Sequence, residues 1–121
     1  MPSIDDSENF DLKSALARFS QDHELLDEAI AIFKEEAPKH LEGIKTALEK
    51  NALKEASTSA HTLKSECGAV GAVKAQSVSL TMERTTGKGH ISEAIELYPQ
   101  LEKMVIQAIE TLPESTMEAD Q

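Results

Sequence analysis

Residues 53–72, LKEASTSAHTLKSECGAVGA, decide the fold. Leu53, Ala56, Ala60, Leu63, Cys67 and Val70 follow one another at alternating intervals of three and four residues. That interval is the signature of one face of an α-helix and cannot be satisfied by a strand, whose faces alternate every second residue. The stripe persists for almost three heptads, and the glycines at 68 and 71 mark where it should stop. On a wheel of about 100° per residue, His61 falls roughly 130° from the centre of the stripe, so its imidazole is expected to face water. The same outer face carries Lys54, Ser57, Thr58, Lys64, Ser65 and Gly68. The histidine is thus predicted to sit among short side chains and two ammonium groups.

Working outward, the segment before it holds a longer stripe, Leu26, Ile30, Phe33, Ala37, Leu41, Ile44 and Leu48, with Asp22 placed to cap it. Pro38 lies within that pattern and predicts a kink, or else a break into two shorter helices. Leu12, Ala15, Leu16 and Phe19 suggest a short helix ahead of it, and the turn between the two long stripes falls around Asn51. Beyond Gly71, Ala75, Val78 and Met82 form the inner face of a further helix, ended by Gly87-Lys88-Gly89. The last stripe is Ile91, Ala94, Ile95, Tyr98, Leu101, Val105, Ala108 and Leu112, with Pro99 again predicting a kink. Four long helices joined by short turns point to an all-α fold, an antiparallel up-down-up-down four-helix bundle with a short extra N-terminal helix. Residues 10–112 form the expected domain. The acidic, non-periodic segments 1–9 and 113–121 are expected to be flexible.

The 121 residues suffice for one modest core and not for two. Aromatics are only 3 % of the chain, so the interior must be aliphatic. Twelve basic residues against 22 acidic ones leave a net charge of −10, which disfavours nucleic acid and anionic lipid as partners. The single Cys67 precludes an internal disulfide and suits a reducing compartment. No apolar run approaches the roughly 20 residues of a membrane span, and MPSIDDSENF lacks the basic and apolar regions of a signal peptide. A cytoplasmic, monomeric protein is the expectation.

An exposed imidazole is largely uncharged at neutral pH and offers a free ring nitrogen as a nucleophile. Lys64, one turn on, is placed to offset the charge of a phosphoryl group carried on that ring. Lys54, about two turns back, adds a weaker field. The small residues Ser57, Ser65 and Gly68 leave room for a partner's active site, and Val73, an apolar residue opposite the inner face of its helix, is a candidate member of a docking ring. The run AHTLKSECGAVGA resembles the signature of histidine phosphotransfer (HPt) domains of two-component phosphorelays, and the likeness extends over most of residues 10–112. The segments FDLKSALARFSQDHELLDEAIAIFKEEAPKHLEGIKTALEKN and Met82-Glu83 followed by Gly87-Lys88-Gly89 look like the family's opening helices and its fourth helix and turn. The resemblance implies that His61 is the phosphoacceptor and Lys64 the phosphate-stabilising residue. It also implies a partner, the aspartate of a receiver domain, which supplies the magnesium ion; no cofactor is expected on this chain.

Two positions depart from the family pattern. Ser65 stands where glycine is usual, and its hydroxyl would either crowd the approach or bond the phosphoryl oxygens. Glu66 stands where a small neutral residue is common, but the wheel places it roughly 140° from His61, on the far flank of the core stripe.

Other features carry less. His23, His40 and His90 lack the spacing of a metal site. Cys67 lies on the core stripe as a small hydrophobe. Thr86-Gly87-Lys88-Gly89 fails as a phosphate loop, because Met82 occupies the first glycine position and Gly89 that of the Ser or Thr that would hold magnesium. The chain shows no nucleotide loop, so a donor protein is required. Two other readings stay open: a non-catalytic helical module that binds receivers without transfer, and the dimerisation helix pair of a sensor kinase. In the latter, an acidic residue and a proline usually follow the histidine, whereas Thr62-Leu63-Lys64 follows here.

Overall fold

A computed structural model describes residues 9–119, with backbone only for Glu118 and Ala119. Residues 1–8, most of the N-terminal segment expected to be flexible, lie outside the described residues. Six helices and no strand form among the described residues: α1 (Leu12–Arg18), α2 (His23–Glu49), α3 (Leu53–Ala69), α4 (Val73–Gly87), α5 (Ile91–Thr111) and α6 (Thr116–Ala119). Asp11 caps α1 by accepting from the Ser14 amide, and Asp22 caps α2 by accepting from the Leu25 amide. Asn51, with φ +57°, makes the turn into α3. Both interior prolines are absorbed: α2 continues through Pro38 and α5 through Pro99 without a break.

The helices form a bundle. α3 packs most extensively on α4, then on α2, while α5 lies against α4 and closes on α2. Ser57 meets Glu83, and Gly68 meets Gln76, so α3 and α4 run in opposite directions. Every member of the α2 stripe is buried, as are Ala56, Ala60, Leu63, Cys67 and Val70, and Ala75, Val78 and Met82 of α4. Ile95 departs from its stripe at 52 % exposure. Ala94 takes the core position, and Ile95 falls about 100° further round, on a flank where no neighbour covers it.

Gly71 ties α1 to the start of α4. Its φ is +77°, and its carbonyl accepts the Asp11 amide at 2.7 Å. A Cβ added there would lie 2.5 Å from the Asp11 carbonyl oxygen. Backbone cannot give way as a flexible side chain can. Gly71→Ala is therefore expected to cost ~2 kcal/mol or more, summing the left-handed penalty and the clash, read as a lower urea midpoint at unchanged m.

The C-terminal segment expected to be loose is instead docked as far as α6. Thr116 is 2 % exposed. Asp27 Oδ1 accepts from its amide at 2.8 Å and from its hydroxyl at 2.7 Å. Since that hydroxyl donates to Asp27, it accepts from His23 Nδ1 at 2.8 Å. A polar segment without apolar periodicity was thus held by hydrogen bonds that periodicity does not report. Thr116→Val, which keeps shape and removes the hydroxyl, should lower stability by ~1–2 kcal/mol in urea unfolding.

Candidate functional site

His61 lies two turns into α3, and its side chain is 58 % exposed. The hydroxyls around it are folded back on their own helix: Thr58 Oγ1 donates to Lys54 O, Thr62 Oγ1 to Thr58 O, and Ser65 Oγ to His61 O, each at 3.1–3.2 Å. Such i−4 bonds satisfy the hydroxyls locally and leave the ring uncovered. Ser65, whose hydroxyl was expected either to crowd the site or to bond phosphate, turns it to the backbone.

The decisive neighbour comes from α4. Glu83 Oε2 lies 2.9 Å from His61 Nδ1, and Glu83 Oε1 lies 3.0 Å from Lys64 Nζ. One carboxylate therefore bridges the histidine and the lysine. The Lys64 ammonium, followed by His61, holds the Glu83 carboxyl below its ordinary value against a partial burial that would raise it. Glu83 is thus ionised at neutral pH and can only accept, so the proton of the shared hydrogen bond sits on Nδ1. In the neutral ring this tautomer leaves the lone pair on Nε2. The bridge adds stability above the usual carboxylate range and loses it as pH falls through the lowered value.

Glu83 was not singled out as a site residue from sequence. Met82 marks the inner face of α4, but no local pattern pairs position 83 with 61. Only the packing of α3 on α4 makes them neighbours, helped by Ser57 Oγ, which donates to Glu83 O at 3.2 Å.

An open groove of about 590 Å³ runs beside the ring. Lys54, Ser57 and Thr58 line it from α3, Glu83 and Gly87 from α4, and Lys88 from the following turn. Lys54 and Ser57 therefore line the same groove as His61. Gly68 does not. It is buried, an added Cβ would stand 2.5 Å from Gln76 Nε2, and the Arg18 guanidinium donates to its carbonyl. Covered by the Gln76 side chain, it does not line the groove beside His61. Val73 is half-buried as the first residue of α4, ten residues and about 15 Å of helix rise from Glu83, so the structure does not bring it to His61.

Glu66 lies where the wheel placed it, on the α2 side, with Oε2 3.3 Å from His40 Nε2. His90, at the N-cap of α5, pairs with Glu93 in its first turn. Among the described residues no three potential metal ligands gather, and no helix is long and apolar enough to cross a membrane.

The Hpt domain model matches residues 28–111, from within α2 to the last residue of α5. The chain belongs to the Hpt family. Searches of curated proteins and of solved structures found no match. Hpt domains are histidine-containing phosphocarrier modules of two-component phosphorelays, without an ATP site, and they work with receiver domains. In this Hpt domain α1 and α6 flank the matched region.

Burial sets Cys67 apart from the site. Burial pushes its thiol up to about 12, against a lowering contribution from Ser79. The thiol of the native domain should resist iodoacetamide at pH 8 and react at the rate of a free thiol once unfolded in urea, as followed by mass spectrometry.

Proposed function

We propose that this Hpt domain is a cytoplasmic, monomeric phosphorelay carrier that takes a phosphoryl group on His61 Nε2 from a receiver-domain aspartate and hands it to another receiver. The observation that carries the reading is the bridge from Glu83 to His61 Nδ1 and Lys64 Nζ. The up-down-up-down arrangement of α2–α5 would present it on the bundle's flank.

The Nε2 lone pair attacks the phosphorus of the aspartyl phosphate in line with the P–O bond to the carboxylate. The N–P bond forms as that P–O bond breaks, and the aspartate leaves as a carboxylate. No proton needs to be removed, because Nε2 carries none. The ring keeps its Nδ1 proton and gains positive charge, which the Glu83 carboxylate faces at 2.9 Å. A phosphoimidazolium of this kind is a good donor, so the reverse attack by a second carboxylate completes the relay. Lys64, which shares the Glu83 carboxylate with the ring, neutralises the transferred phosphoryl oxygens. The partner supplies the magnesium ion that its own aspartate site requires; none is assigned to this chain.

The test uses purified receivers of the same genome loaded with acetyl phosphate. Acid-labile label should appear on the wild type and vanish in His61→Gln. Lys64→Ala should slow transfer on the order of tenfold, and Glu83→Ala on the order of tenfold to a hundredfold. Nitrogen-15 spectra should show the Nδ1–H tautomer in the wild type and its loss in Glu83→Ala. Label that persists in His61→Gln would sink the assignment. Binding of receivers with no label on the wild type would favour the non-catalytic module instead.

A further inference from the structure

The groove beside His61 has a charge and a shape that the transfer chemistry does not use. Among the described residues Glu83 is the only carboxylate lining it, and both its oxygens are engaged by His61 and Lys64. Lys54 and Lys88 stand on its two walls and form no ion pair among the described residues. The uncompensated charge of the groove is therefore positive, on a chain whose net charge is −10. The wall hydroxyls are already spent, Ser57 on Glu83 O and Thr58 on Lys54 O, which leaves recognition to the two ammonium groups.

Gly87 supplies the second argument. It occupies the last turn of α4, where glycine is less stable than alanine. Nothing in the fold asks for it: its φ is not left-handed, and an added Cβ would meet only Ser57 Oγ at 3.7 Å, an ordinary contact. The left-handed residue that ends this helix is Gly89, with φ +82°. A glycine that local structure does not require, on the wall of a groove beside the reactive ring, keeps that groove open.

We infer that the groove between Lys54 and Lys88 is a receiver-selecting site, which seats an acidic segment bordering the partner's phosphoaspartate. The inference rests on the phosphocarrier reading and adds to it which partners are accepted. A domain of this net charge repels acidic partners at long range, so two unpaired cations at the point of contact favour receivers that place Asp or Glu there and orient them on His61. The residues that discriminate are thus displaced from the Gly68 and Val73 end of α3 and α4 toward the turn after α4.

Transfer from acetyl-phosphate-loaded receivers of the same genome is measured for the double variant Lys54→Glu/Lys88→Glu and for Gly87→Leu. Phosphoramidate, a small donor that needs no docking, reports the histidine chemistry separately, and circular dichroism checks the fold. The double variant should lower kcat/KM about tenfold at low ionic strength, with the difference shrinking as salt shortens the Debye length. Gly87→Leu should lower it at every salt concentration. In each variant the loss should be much larger with receivers than with phosphoramidate. Unchanged receiver transfer in either variant would overturn the inference while leaving the carrier reading intact, as would equal losses with both donors. No label on wild-type His61 from either donor would remove the carrier reading and the inference together.

Discussion

The close packing of α3 on α4 is the constraint on which both the fold and the site depend. Both helices bury small side chains, Ala56, Ala60 and Gly68 on one and Ala75 and Ser79 on the other, and they meet where Ser57 donates to Glu83 O and where Gln76 covers Gly68. Short residues let the backbones approach, and the polar groups at the seam are satisfied within it. Ser79 and Thr86 return their hydroxyls to the carbonyls of Ala75 and Met82, each at 2.8 Å. At this separation a glutamate on α4 is long enough to reach a histidine on α3. A wider seam would leave Glu83 in water and His61 without a fixed tautomer.

The same seam explains why the site needs so little machinery. The chain supplies an imidazole, a carboxylate that fixes the proton on its Nδ1, and an ammonium one turn away, all partly or largely exposed. In the proposed transfer everything else, the electrophile and the metal, would belong to the partner, and such a reaction needs a surface that stays open. The back-bonded hydroxyls of Thr58, Thr62 and Ser65 serve that openness by making the surface around His61 polar yet self-satisfied. The burial of Cys67 one helical face away keeps a competing nucleophile out of reach.

The ends of the chain show how polar contacts extend a bundle whose core is aliphatic. Asp27 and His23 hold Thr116, and Gly71 holds Asp11, so polar contacts fasten both end helices to the long ones, with Arg18 donating to Gly68 O and buried Ala15 adding to the hold on α1. Tyr98, one of the few aromatic residues, likewise donates to Leu41 O across α5 and α2 at 3.1 Å. Its phenol is pushed up to about 12, first by burial and then by the nearby Glu102, Glu42 and Glu49, and so remains a donor throughout the physiological range.

Much of this was written in the periodicity. The three-four alternation of Leu26 to Leu48 and of Leu53 to Val70 determined the helices, their buried faces and the outward direction of His61, because a helix repeats every 3.6 residues whatever it packs against. The Asp22 cap and the stop near Gly71 are local chemistry and were equally legible. Lys64 was legible as a neighbour of His61 because three residues make one turn. Glu83, Lys88 and the docking of Thr116 were not, for each is a contact between residues more than twenty positions apart, and nothing in a linear pattern measures how closely two helices approach. Gly68 shows the converse: its smallness was visible in the sequence, but whether that smallness faced a partner or a neighbouring helix was decided only when α4 laid Gln76 over it.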